Sequence, residues 1–168
     1  MYEAVGNFNK MTKQLPEQIV IYRDGMGGPS MTAKVQSFEV KVITDMLENT
    51  TQGYKPKIIY CLIERNNNQR FFTKKDRECL NPGPGTVVDT DIVEYQGDFL
   101  YDFYLISHVV TVGTVKPVLY RVAYNTSTLS KNDFETGTYH LCHGYYNYAG
   151  AIKVPMVCMY ARKICTYA

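Results

Sequence analysis

Asp24 is the acid with the most suggestive neighbours in this sequence. It follows the apolar run QIVIYR and precedes Gly25. That places it at the carboxyl end of a predicted strand, where open α/β sheets gather ligand and metal sites. A carboxylate there is a hard oxygen ligand of the kind Mg²⁺ takes. Two-metal phosphodiester cleavage, however, needs several such carboxylates around one point. Taken alone, Asp24-Gly25 is equally a turn. His108, His140 and His143 have no metal-ligand spacing among themselves. Cys142 and His143 are adjacent rather than spaced for catalysis on a helix face, so ordinary hydrogen-bonded histidines and a structural cysteine are expected. Gly83-Pro84-Gly85 lacks the Gly-Lys-Ser/Thr end of a phosphate loop.

The second chemistry is electrostatic. Seven basic residues lie between Lys55 and Arg77, against Glu64 and Asp76. From Thr136 onward there is no acid, while Lys153, Arg162 and Lys163 remain alongside six of the fifteen tyrosines. Basic residues interleaved with aromatics suit a phosphate backbone and stacked bases. A solvated face over core tyrosines would give the same composition, and a net charge of +2 does not decide between them.

The rest of the chain must position these groups. Its 168 residues make one domain, and 45% apolar against 20% charged residues indicates a globular one. Five cysteines without a CxxC pair predict reduced thiols rather than a disulfide framework or a zinc site. No apolar run approaches the roughly 20 residues of a membrane helix, and the first residues lack a signal-peptide core. Secreted and membrane classes are therefore not expected, and the expected compartment is the cytoplasm or the nucleus.

Residues 1–14 read as a helix without a cap, ended by Leu15-Pro16. Gln18–Arg23 and Lys57–Ile63 read as buried strands. Between them Ser30 or Thr32 can cap a helix over Met31–Glu48, with Val35, Phe38, Val42 and Met46 as its apolar stripe. This predicts a parallel strand–helix–strand unit. Further on, Asn81–Gly85 is a turn, Thr86–Asp89, Tyr101–Val110 and Pro117–Tyr124 are strands, and Gly113–Pro117 is a turn. Helices are predicted over Lys131–Tyr146 and after Pro155.

Read together, these segments resemble a known family. YRDG at Tyr22–Gly25, RFF at Arg70–Phe72 and NPGPGTVVD at Asn81–Asp89 are similar to consecutive motifs of the PIWI domain. So are YDFYLISH at Tyr101–His108, GTVKP at Gly113–Pro117, YHLCHGYYNY at Tyr139–Tyr148 and IKVPMVCMYA at Ile152–Ala161. Order and spacing agree from about Leu15 to Lys163, and YYN with VPxxCxYA points to the Piwi branch of the Argonaute family.

The resemblance implies an α/β, RNase H-like fold, here a partial PIWI domain over residues 1–168, with a mixed sheet and flanking helices. It also implies an RNA-binding domain that holds a small guide RNA and its target in RNA-mediated silencing of the piRNA type. Other silencing-complex proteins are implied partners. Active family members cut the target with Mg²⁺ held by Asp, Glu, Asp and His. Asp24 falls on the second Asp and Arg162 on the His, while the first Asp and the Glu correspond to strands upstream of Met1. One retained metal ligand cannot hold two ions, so binding without slicing and without a cofactor is expected of this chain as given. The alternatives are a segment of an active Mg²⁺-dependent RNA-guided endoribonuclease, with Mg²⁺ then the cofactor of the intact slicer, or a degenerate or partial gene product. The family's PAZ and MID regions and the end of its last helix also have no counterpart in these residues, and GMGGPS after Asp24 departs from the family's acidic loop. Implied nucleic-acid contacts are Arg65, Asn66 and Arg70 before and in the RFF motif, and His108, Thr114 and Lys116 at the strand end and following turn. Tyr145, Asn147, Lys153 and Lys163, toward the C-terminus, complete the set.

Overall fold

The computed structural model describes residues 1–25, 29–50, 53–93 and 99–167. The central strand, β2 (Lys57–Glu64), is apolar throughout because both of its faces are covered. Ile59, Cys61 and Ile63 point to one side, into a cluster with Phe103, Tyr120, Phe134, Val154 and Cys158. Ile58, Tyr60 and Leu62 point to the other, against Val35, Val40 and Leu47. The result is a sheet between two helical layers.

Before β2 come α1 (Tyr2–Thr12) and β1 (Gln18–Asp24). After it come the short pair β3 (Thr73–Lys75) and β4 (Glu78–Leu80), then β5 (Thr86–Val88), β6 (Asp102–Ile106) and β7 (Val118–Asn125). The main sheet runs β1-β2-β7-β6-β5. β1 and β2 are parallel and the other pairings antiparallel, which makes the sheet mixed as expected. Asp102, buried, and Arg121, half-buried, form an ionic cross-strand pair at 2.9 Å. Two helices, α4 (Lys131–Leu141) and α5 (Met156–Tyr167), cover the face on which Phe103 and Tyr120 stack at 4.9 Å. Ser130 caps α4 by accepting a hydrogen bond from the Asp133 amide.

The crossover between β1 and β2 departs most from the sequence pattern. It is α2 (Pro29–Lys34), a π-helical segment at Val35–Glu39, and α3 (Val40–Thr50). A π turn inserts one residue and rotates everything after it. Of the stripe expected at Val35, Phe38, Val42 and Met46, Val35 and Met46 pack inward, and Val40, Ile43 and Leu47 complete the buried face. Phe38 and Val42 face outward at 63% and 51% exposure. Thr32 lies inside α2 and is not its cap. The glycine-rich turn expected after Asp24, with Met26–Gly28, and the alternative cap side chain of Ser30 fall outside the described residues.

Three other boundaries shift. The helix predicted over Lys131–Tyr146 stops at Leu141, because the chain turns there through hydrogen bonds from Cys142 to Tyr139 and from His143 to His140. The strand predicted over Tyr101–Val110 ends at Ile106, where its pairing with β5 ends. β1, read as a buried strand, is half-buried or exposed along its length, since among the described residues only β2 pairs with it. The β3–β4 pair, exposed throughout, was not anticipated: TKKDRECL has no apolar alternation to mark it.

Candidate nucleic-acid interface

Parallel pairing puts the carboxyl ends of β1 and β2 side by side, with Asp24 in register with Ile63. Arg65, just beyond the end of β2, then reaches back to Asp24, its Nη2 donating to Oδ2 at 2.5 Å. Asp24 Oδ1 is buried without a hydrogen-bond partner among the described residues. Both groups line a cleft of about 500 Å³ together with Gly25, Ile63, Glu64, Asn66, Lys153 and Arg162. Of the sequence-predicted residues, the structure thus gathers Asp24, Arg65, Asn66, Lys153 and Arg162 around one space.

Polar side chains with no ionic charge fix the loops that bring these groups in. Asn67 donates from Nδ2 to the Pro117 carbonyl at 3.0 Å, joining the turn after β2 to the loop before β7. Asn81 holds that loop from the other side, donating to the Gly113 carbonyl at 2.8 Å and accepting from the Val115 amide at 3.0 Å. Thr114 and Lys116 are exposed on it, flanking buried Val115. Ser107, at the end of β6, donates to the Ile152 carbonyl at 2.7 Å, while the Ile152 amide donates to Cys142 at 2.8 Å. Ile152 is thereby pinned between β6 and the end of α4, and Lys153 follows it into the cleft.

The electrostatics show how close these segments come. Burial pushes the Lys153 ammonium below its ordinary pKa, and Lys116, Arg65 and Arg70 push it further the same way. The pKa of His108 is lowered by burial first and by Lys153 second, and its Nδ1 is buried without a partner among the described residues. Cys158, under the cleft, is raised to about 12 by burial and then by Asp24. Among the described residues neither Lys153 nor Arg162 has an ion-pair partner. Arg70 spends its Nη1 on the Asn67 and Gln69 carbonyls, at 3.1 and 2.5 Å, which braces the turn carrying Arg65 and Asn66.

The remaining predicted residues form a separate cluster at the turn after α4. Tyr145 is buried, and Asn147 is exposed beside it. Lys163, on α5, lies 5.5 Å from the Tyr145 ring centroid and 4.8 Å from that of Tyr146, and donates to the Tyr146 hydroxyl at 3.1 Å. That bond raises the lysine's pKa and lowers the tyrosine's. Tyr146 in turn stacks on Tyr160, the ring centroids 6.1 Å apart and the planes nearly parallel.

Glu64 was counted as a stray acid in a basic stretch, yet it lines the cleft. The signal was present: it is one residue past the position in register with Asp24. Even with it, the cleft fits a divalent cation poorly. Mg²⁺ is held through carboxylates and waters. Here one Asp24 oxygen is bound to a guanidinium, and two carboxylates face three cations. No group of three or more acidic, His or Cys side chains suited to a metal occurs among the described residues.

A family model described as the Piwi domain matches residues 1–168. The chain belongs to the Piwi family. It is 36% identical over 161 residues to Piwi-like protein 1 of Danio rerio, covering 96% of this chain and 18% of that relative. The crystal structure of Drosophila Piwi superposes with a TM-score of 0.86 at 38% identity, over 98% of this chain and 22% of the other. Kluyveromyces polysporus Argonaute, solved with a guide RNA, superposes at 0.82 and 25% identity, over 98% of this chain and 21% of that one. This Piwi domain therefore has the RNase H-like fold that its motifs implied. It spans about a fifth of the length of the relatives it matches.

Proposed function

We propose that this Piwi domain holds small guide RNA and target strands in RNA-mediated silencing of the piRNA type, and does so without cutting them. The observation that carries the reading is the gathering of Arg65, Lys153 and Arg162 around one cleft, with Lys116, Arg70 and His108 close enough to act on Lys153. Cations presented together, two of them (Lys153 and Arg162) without an acidic partner among the described residues, are what a phosphate backbone requires. Such contacts position a strand without reading its bases, so sequence choice falls to pairing between guide and target. The guide RNA bound to the related Argonaute supports the same ligand class.

Asn66, Thr114 and Asn147, all exposed, supply neutral hydrogen bonds at the margins of this surface. The proposed absence of cutting rests on the carboxylates: Asp24, the metal ligand that the family motif places in these residues, is committed to Arg65. Silencing in the cytoplasm, alongside other silencing proteins, is the corresponding biological setting. The test is fluorescence anisotropy of a labelled single-stranded RNA of about ten nucleotides at about 50 mM salt. Saturable binding that weakens with salt is expected; no binding at low salt overturns the reading.

A further inference from the structure

The cleft beside Asp24 has the wrong charge for the metal its position implies, and the mismatch indicates a different occupant. Its lining carries Arg65, Lys153 and Arg162 against Asp24 and Glu64. The Arg65 guanidinium already supplies a positive charge to the Asp24 carboxylate, the role a bound cation would otherwise fill. A divalent ion entering here would meet a second and third cation. An anion would meet two that have no ion-pair partner among the described residues.

Lys153 favours the anion most. It is half-buried and held by a pinned backbone, and burial together with neighbouring cations destabilises its charge. A phosphate group placed among these side chains relieves that destabilisation. The space, about 500 Å³, is ample for one.

We propose that this cleft seats a phosphate of a nucleic-acid strand directly on Arg65, Lys153 and Arg162, with no divalent cation between protein and phosphate. The proposal rests on the RNA-binding reading above and specifies how that binding is made. Arg65 is the oriented member, since its bond to Asp24 holds the guanidinium at the cleft wall with one Nη committed and further donors in its fork. Arg162 is the exposed member, entering from α5.

The experiment measures affinity of the full chain for the labelled RNA in EDTA and in millimolar Mg²⁺. The expected result is equal affinity within about twofold, with Arg162→Gln and Lys153→Gln each weakening binding about tenfold in EDTA. Lys10→Gln, on the exposed face of α1, controls for net charge and leaves affinity unchanged. Arg162 is exposed, so its substitution tests the seat without threatening the fold. A loss of tenfold or more on adding EDTA overturns the proposal, as does full affinity in both cleft variants; in either case RNA binding itself still stands. Pyrophosphate separates the other failure. If the RNA does not bind but pyrophosphate raises the melting temperature in EDTA, and Lys153→Gln abolishes that rise, the RNA reading falls and the phosphate seat remains. If neither ligand acts, both fall.

Discussion

Two regions of this domain combine basic residues with a likeness to nucleic-acid sites, and they treat their charges in opposite ways. In the cleft at the ends of β1 and β2, Lys153 and Arg162 have no acidic partner among the described residues, and Lys153 is held where burial and other cations disfavour its charge. At the turn after α4, Lys163 is settled between Tyr145 and Tyr146 and hydrogen-bonded to one of them, while Tyr146 and Tyr160 stack on each other. The cleft leaves these charges to solvent or to a ligand. The tyrosine cluster is already satisfied, and its rings have neighbours where bases would have to stack. Interleaved basic and aromatic residues therefore do not mark a binding surface by themselves; what matters is whether the charges find partners within the fold.

The largest expected effect tests whether the open charges bind phosphate at all. With about three phosphates contacted, the salt slope for a single strand is roughly −2, so raising salt fourfold weakens binding about twentyfold. Lys153→Gln reduces that slope by about 0.7, whereas Lys163→Gln leaves it unchanged. Equal slopes in the two variants would erase the distinction between the regions.

Next comes affinity at one salt concentration. Lys153→Gln costs about tenfold, in the range of one charge-assisted hydrogen bond in a partly desolvated site. Lys163→Gln costs about twofold at most, because the lysine must leave two rings and a hydroxyl before it can help a phosphate. Anisotropy titrations of both variants check this, and a larger loss from Lys163→Gln would move the interface to the tyrosine cluster.

Asp24→Asn sharpens the comparison from the acidic side. A carboxylate retained to hold a metal would, once neutralised, cost binding in Mg²⁺. A carboxylate that only offsets Arg65 would, once neutralised, leave the cleft more positive. The expectation is RNA binding about threefold tighter, measured by the same titration in EDTA.

The sequence showed these features unevenly, for physical reasons. β2 was legible because a strand covered on both faces is apolar at every position, as β2 is from Ile58 to Ile63; β1 has a similar apolar run, yet the structure leaves it half-buried or exposed. The face of the crossover helix was not, because the π segment at Val35–Glu39 exchanges Phe38 and Val42 for Val40 and Ile43 and leaves no mark in a 3.6-residue pattern. The cleft was half legible. Its members were recognised through motifs, but their convergence depends on Asn67, Asn81 and Ser107, whose partners lie 32 to 50 residues away. No local pattern distinguishes such clamps from surface asparagine and serine. Nor could composition tell Lys153 from Lys163, since the difference between them lies entirely in what surrounds each one.

The smallest expected effect comes from His108, at the edge of the cleft. Its pKa lies below 6.5, first through burial and then through Lys153. The unfolded chain therefore takes up the proton at higher pH than the folded one, and this group's share of stability, full above about pH 6.5, is lost as pH falls through the lowered value. A bound phosphate reverses the second cause, making protonation easier in the complex than in the free domain. Affinity should then rise as pH falls from about 7 to 5, by about twofold. His108→Gln should flatten that profile. Lys153→Gln should shift it to higher pH, because removing the lysine removes one of the two forces holding the ring neutral. A flat profile in the unmodified chain, with Lys153→Gln still costing tenfold, would place the phosphate on the Arg65 and Arg162 side of the cleft, beyond the reach of the imidazole.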